Sequence, residues 1–383
     1  NEMQSIVYTS GSTGQPKGVV LSYGNMAAAA YQSKEHLGSY HKDHVISYLP
    51  LAHIVERSLI ETASFYTGSQ VFFVESLRTF VDDLKTASPD LFVSVPRMWT
   101  KFQAEVLKKM PQRKLQLLLK IPLINRLLKK KIQSNLGMQQ AREFGCGSAP
   151  ISPAILHWFN SIGIGISEGW GMTETAGLGC INSPFNAKAI GTIGKPIQSL
   201  EMKISDEQEI LVKGDAVFSS YYNNPEETEK SFTDGWFHTG DMAEKDAAGN
   251  IKIIGRIKEQ FKTTKGKYVA PVPIECLLAQ NSDIEQVCVM GAGRNQPLAL
   301  VILTEADPVE KAAMLVRLQE SFKAVNKQLE SHARLSNLVV LNDDWTPENE
   351  LLTPTMKIIR PMIEKTYANI LQQSFTEKVV VYS

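Results

Sequence analysis

Alternation constrains this chain most: short β-rich runs take turns with amphipathic helical stretches through its first two thirds. Ile6 to Thr9, Val45 to Leu49, Val71 to Val74, Leu91 to Val95 and Gly163 to Ser167 read as strands, with helices over Asn25 to Leu37 and Leu77 to Ala87. That is the pattern of a mostly parallel sheet covered by helices. From about Ile190 the period changes. Met202 to Ile204, Glu209 to Lys213 and Asn250 to Ile254 read as antiparallel strands separated by Gly, Asp and Asn. A second unit is expected from Lys258, with strands at Gln286 to Met290, Leu298 to Leu303 and Leu338 to Leu341 and a helix from Pro308 to Ala333. The expected fold class is α/β: a large N-terminal domain over 1–257 with a small β-rich subdomain over 190–257, then a smaller α+β C-terminal domain over 258–383.

Composition narrows the function classes. With 40 basic and 40 acidic residues in 383, charge gives no reason to expect a nucleic-acid partner. No apolar run reaches spanning length and no secretory signal opens the chain, so the sequence predicts no membrane crossing. Cys146, Cys180, Cys276 and Cys288 form no C-x-x-C pair, which favours a reduced, cytoplasmic setting. One stretch is locally biased: Lys108 to Lys131 interleaves basic residues with leucines and contains no acid. Two readings stand for it. Such a segment can lie peripherally on the anionic inner face of a membrane, or it can be a solvated helix whose leucines are core. Pro111 and Pro122 break any single long helix there.

Tyr8-Thr9-Ser10-Gly11-Ser12-Thr13-Gly14-Gln15-Pro16-Lys17 follows the first strand. Glycines turn backbone N–H groups around an anion, hydroxyls add donors and the lysine adds a mobile charge. Its spacing is not that of the common P-loop. A Ser/Gly-rich stretch alone is more often a flexible turn, so other segments must decide its meaning.

Those segments are Pro50-Leu51-Ala52-His53-Ile54-Val55-Glu56-Arg57, Gly145-Cys146-Gly147-Ser148-Ala149-Pro150, Gly169-Trp170-Gly171-Met172-Thr173-Glu174-Thr175, Trp236-Phe237-His238-Thr239-Gly240-Asp241, Gly255-Arg256-Ile257-Lys258 and Leu352-Thr353-Pro354-Thr355-Met356-Lys357. In this order they resemble the adenylate-forming superfamily. The Pro-Leu-Ala-His-x-x-Glu-Arg form, Tyr268-Val269-Ala270-Pro271 and the Leu-Thr-Pro-Thr-Met-Lys ending resemble long-chain fatty-acid–CoA ligases in particular.

The resemblance implies ATP-dependent activation of a long-chain fatty acid to an acyl-adenylate, then displacement of AMP by CoA. Thr9, Ser10, Gly11, Ser12, Thr13, Gly14 and Lys17 would wrap the β and γ phosphates of ATP. Thr173 would bond the α-phosphate, and Glu174 would hold Mg²⁺, a hard cation suited to carboxylate and phosphate oxygens. Gly147, Ser148 and Ala149, with Trp170 and Gly171, would line the adenine. Asp241 would accept from the ribose hydroxyls, and Arg256 would support ribose and phosphate. Lys357 would approach the α-phosphate during adenylation. His53 would sit near the acyl carboxylate, although a buried structural histidine is an equal reading. Lys258 matches a hinge about which the C-terminal domain moves, bringing the Gly266 turn toward CoA.

Departures qualify these expectations. Relatives carry a substantial segment before the Ser/Thr/Gly loop, and a strand is expected almost at Asn1, so the chain is expected to be a fragment or processed product with an incomplete N-terminal domain. Arg57 stands where some relatives have an aromatic gate, and Lys267-Tyr268 where many have an arginine. Delivery of the acyl group to acyl carrier protein, or nucleotide binding without turnover, are the alternatives.

Overall fold

The computed structural model describes residues 2–10, 16–76, 78–304, 307–353 and 357–382, with Ser10 and Pro308 as backbone only. Gly11, Ser12, Thr13 and Gly14 therefore lie outside the described residues, as do Leu77 and the Pro354-Thr355-Met356 part of the last motif. The chain divides into two compact units, Asn1–Ile253 and Ile254–Ser383.

In the first unit, the strands Leu91–Ser94, Glu143–Cys146 and Ile166–Trp170 run parallel and continue into two antiparallel strands, Cys180–Ile181 and Lys195–Pro196. His44–Ser47 and Gln70–Phe73 form a separate parallel pair. The strand expected at Gly163 to Ser167 starts later, at Ile166. Gly163, at φ +84°, donates to the Asn160 carbonyl and closes the helix Pro153–Ser161 before the chain can extend. Ile6 to Thr9 also behaves differently from an α/β strand. Met3–Ser10 pairs antiparallel with Pro16–Ser22, because a connection this short allows a hairpin and not a crossover. Ser220–Tyr221 adds a third strand to that hairpin.

The helices cover the parallel strands with an aromatic core. Trp99, fully buried, packs edge-on against Phe92, Phe144 and Phe159, and its indole N–H donates to the Gly145 carbonyl at 3.2 Å. That bond pins the strand leading into Gly147-Ser148-Ala149. The antiparallel strands Leu200–Ile204, Glu209–Gly214, Phe232–Thr233 and Trp236–Lys245, with Ile251–Arg256 beside the last, form a further sheet. Among the described residues, no helix is long and apolar enough to cross a membrane, and the four cysteines are free.

The second unit is built on Ile284–Met290, Leu298–Leu303, Leu338–Leu341 and Val379–Tyr382, paired in that order. Its strands are apolar almost continuously because both faces are covered. Val287, Val289, Ala299, Val301 and Val340 point into one cluster with Leu318 and Phe322 of the long helix Pro308–Gln328. Cys288, Met290, Leu300, Val339 and Leu341 point into another with Trp345, Ile363 and Ile370. The long helix ends at Gln328, short of the expected Ala333.

Between these layers lies an ion pair. Arg360 donates to Glu275 Oε2 at 3.1 Å and to the Val289 carbonyl at 2.7 Å, while Glu275 Oε1 accepts from the Val289 N–H at 2.7 Å. Burial pushes the Glu275 carboxyl up, and Arg360 opposes it. Removing one partner of such a pair leaves an uncompensated buried charge. Arg360→Met is expected to lower stability to urea by about 3 kcal/mol at pH 8, with a smaller deficit at pH 5, because the raised Glu275 carboxyl is more readily neutralised at lower pH. An equal deficit at both pH values would contradict this account.

Candidate functional site

The described ends of the Ser/Thr/Gly hairpin place Thr9 opposite Lys17. Lys17 forms an ion pair with Glu227, and its ammonium lies 5.1 Å from the centre of the Tyr221 ring. The Tyr221 hydroxyl donates to Glu174 Oε1 at 2.9 Å. Burial pushes the Tyr221 phenol far up, and neighbouring Glu174 adds to this, so it remains a donor. A single aromatic side chain thus connects the lysine of the loop to the acid of Thr173-Glu174. Neither Tyr221 nor Glu227 was singled out from sequence. The available signal was Asn224-Pro225: Asn224 caps the helix Pro225–Lys230 by accepting from the Glu227 N–H, which sets where Glu227 emerges.

Glu174 is buried in the short turn Thr173–Thr175, while Thr173 beside it is half-buried. The turn is tight because Met172 N–H donates to the Thr175 hydroxyl at 3.0 Å and Gly177 N–H returns to the Met172 carbonyl. Gly171 must be a glycine here. A Cβ would lie 2.4 Å from the Gly177 carbonyl oxygen.

The strands Glu143–Cys146 and Ile166–Trp170 deliver the next groups. Beyond their last paired residues, a Cβ on Gly147 would lie 3.2 Å from the Gly169 carbonyl oxygen, a tight contact that the glycine avoids. Ser148 then turns at φ +69°, and Ala149 is exposed. Ser148 Oγ lies 3.3 Å from His53 Nε2. His53 Nδ1 accepts from the Val55 N–H at 3.2 Å, which leaves the proton of the neutral ring on Nε2, facing Ser148. A void of about 10 Å³ adjoins this contact, lined by Leu49, Val55, Val93, Ser94, Val95, Gly147 and Ser148. Trp170 reaches the other way. Its indole N–H donates to Asp241 Oδ2 at 2.8 Å, joining two residues that stand far apart in sequence.

Three sets of contacts thus lie within the first unit: Lys17 with Tyr221 and Glu174, Trp170 with Asp241, and Ser148 with His53. Arg256, Gly266 and Lys357 belong to the second. There Arg256 is exposed. Gly266, at φ +74°, makes the turn between Phe261–Lys262 and Tyr268–Val269. Lys357 is exposed; its N–H donates to the Thr353 hydroxyl at 3.0 Å, and Leu352 bridges to Ile358. The ion-paired Arg360 anchors this segment.

Among the described residues, no group of three His, Cys, Asp or Glu could hold a metal ion. Glu174 offers one carboxylate. Mg²⁺ fits such a site when phosphate and water supply its remaining oxygens, because it commonly uses one or two carboxylates with substrate phosphates.

A carboxyl missed in the sequence lies at the strand end. Burial raises Glu168 to about 7, against a Gly191 N–H at 2.9 Å that pulls the other way. The folded protein therefore holds this proton more tightly than the unfolded chain, whose value lies near 4.5. The associated stability is present below about pH 4.5 and lost as pH rises through about 7. Glu168→Gln, which keeps an acceptor for Gly191, is expected to exceed the parent in stability at pH 8 by about 2 kcal/mol, less than the full shift because the side chain retains some solvent contact. The two should converge below about pH 4.5 in thermal melts; a constant gap across pH would refute the burial account.

Comparison with known proteins places this geometry. Residues 1–222 match the family described as AMP-binding enzyme, and residues 258–379 match the AMP-binding enzyme C-terminal domain. A long-chain-fatty-acid–CoA ligase of Mycobacterium bovis, FadD15, is 28% identical over 98% of this chain and 69% of its own length. Long-chain-fatty-acid–CoA ligase 5 of Mus musculus is 32% identical over 96% of this chain and 61% of its own. The chain therefore spans about two thirds of the length of these relatives. The solved adenylation domain of a carboxylate reductase from Mycobacterium chelonae shares the fold, with a TM-score of 0.78 at 24% identity over 97% of this chain and 59% of that one. The chain belongs to the AMP-binding enzyme family.

Proposed function

We propose that this protein activates a long-chain fatty acid with ATP to an acyl-adenylate and transfers the acyl group to CoA, giving acyl-CoA, AMP and pyrophosphate. The observation that carries the reading is the link from Lys17 through Tyr221 to Glu174, continued by Thr173 and the Trp170–Asp241 pair. In this reading the first link supplies phosphate and metal ligands and the Trp170–Asp241 pair the ribose ligand, carried on the same motif as Thr173 and Glu174.

A carboxylate is already ionised at neutral pH, so adenylation needs no general base. It needs neutralised phosphate charge and in-line alignment. In this reading Thr9, Ser10 and Lys17, with Gly11 to Gly14, hold the β and γ phosphates. Lys17 exchanges Glu227 for phosphate as the nucleotide enters. Thr173 donates to the α-phosphate. Glu174, oriented by Tyr221, supplies the carboxylate for Mg²⁺, which when bound offsets phosphate charge. Gly147, Ser148, Ala149, Trp170 and Gly171 border the adenine, and Asp241 shares its carboxylate between the Trp170 indole and the ribose.

His53, with its Nε2 proton toward Ser148, stands beside the narrow apolar void and faces the acyl carboxylate. Residues 1–257 act as the AMP-binding domain and 258–383 as a mobile C-terminal domain hinged at Lys258. Arg256 supports the ribose, Lys357 meets the α-phosphate in adenylation, and the Gly266 turn meets CoA afterwards. Matches to proteins named as long-chain ligases support the acyl class.

ATP–pyrophosphate exchange across fatty acids of graded length tests the first step, run on this chain and on a version extended upstream. Exchange is expected to be greatest with long chains and to fall about 100-fold in Lys357→Ala, the scale of removing one group that stabilises developing charge. Asp241→Asn should chiefly raise the KM for ATP. No exchange with any carboxylate in either version overturns the proposal, and AMP release dependent on acyl carrier protein instead of CoA corrects its second step.

A further inference from the structure

The segment of unbalanced charge folds as three helices, Pro96–Lys109, Gln112–Leu119 and Pro122–Asn135, broken where the prolines stand. The last two are apolar on two sides. Inward, Leu115, Leu128 and Ile132 join the aromatic core. Outward, Leu117, Leu123 and Leu127 remain 64%, 82% and 70% exposed, with Ile121 also in water. Core packing accounts for the first set and leaves the second unexplained.

Helical geometry groups the exposed residues with charge. Leu123 and Leu127 lie one turn apart, turned away from Leu128 and Ile132. Arg126 and Lys130 flank them on one side and Ile124 and Lys131 on the other, and all three cations are exposed. No acid occurs between Glu105 and Glu143 to balance them. Among the described residues, none of the basic side chains from Lys108 to Lys131 takes part in an ion pair.

We propose that this face of the helices Gln112–Leu119 and Pro122–Asn135 docks on an anionic lipid bilayer, with Leu123 and Leu127 entering the headgroup boundary and Arg126, Lys130 and Lys131 meeting lipid phosphates. The pairing of leucine with unbalanced positive charge selects this occupant. A nucleic acid would engage the cations and leave the leucines in water. A second copy seated on the same face would bring like charges together. The docking is independent of the ligase reading, although a long-chain acid, if that is the substrate, partitions into the same phase.

Cosedimentation of the full chain with vesicles tests it, comparing pure phosphatidylcholine with an equal mixture of phosphatidylcholine and phosphatidylglycerol. Binding is expected to the mixed vesicles only and to weaken as salt rises. Arg126→Gln/Lys130→Gln/Lys131→Gln should reduce partitioning about 100-fold, from about fivefold per basic residue. Leu123→Ser/Leu127→Ser should reduce it at least about tenfold. Both variants alter exposed side chains, so unchanged circular dichroism and melting separate lost docking from lost folding. The proposal is overturned if the parent stays in the supernatant with mixed vesicles at low salt, if folded variants bind as the parent does, or if the leucine pair governs only self-association in sedimentation velocity. Vesicle binding with no carboxylate-dependent exchange in either this chain or the version extended upstream would leave this surface standing and remove the ligase reading.

Discussion

The hydrogen bond from Tyr221 to the buried carboxylate of Glu174 holds the candidate site together. A carboxylate taken out of water needs a donor, and the phenol is a suitable one because its own burial keeps it protonated. Tyr221 sits in the strand that pairs with Pro16–Ser22, so the same residue ties the turn carrying Thr173-Glu174 to the hairpin carrying Lys17. Its ring face then receives the lysine ammonium. The phenol thereby satisfies Glu174, and Glu227 and the ring satisfy Lys17.

Backbone proximity is the second constraint. Gly147 lacks a side chain where the Gly169 carbonyl of the neighbouring strand stands, and Gly171 lacks one where the Gly177 carbonyl closes the next turn. Trp99 fixes one strand through the Gly145 carbonyl. The cost is local: Ser148 adopts a left-handed conformation that a non-glycine residue rarely takes.

The second unit obeys a different logic. Its sheet is covered on both faces, and the largely buried cation Arg360 lies three residues from Lys357. An exposed lysine on a short connecting segment would sample many positions. Anchoring Arg360 three residues further on limits that freedom.

Much of the site was legible as sequence because its chemistry lies in contiguous motifs. Gly-Ser-Ala-Pro and Trp-Gly-Met-Thr-Glu fold at strand ends and turns and His-Thr-Gly-Asp within the strand Trp236–Lys245, so residue order carries their local geometry. The alternation of strands and helices in the first unit, and the apolar strands of the second, were legible for the same reason: burial on one face or two writes its period into the chain. The partners were not legible. Tyr221 with Glu174, Glu227 with Lys17, Trp170 with Asp241 and Glu275 with Arg360 are separated by long stretches of chain, and nothing local distinguishes Tyr221 from Tyr222. The raised Glu168 carboxyl was hidden likewise, since its proton affinity comes from burial. The sequence by itself determined the family, the local shape of each motif and the charge bias of the Lys108 to Lys131 stretch. Only tertiary structure decided which distant side chains satisfy one another, and which leucines of that stretch reach the core or stay in water, because desolvation and contact depend on neighbours that chain order does not specify.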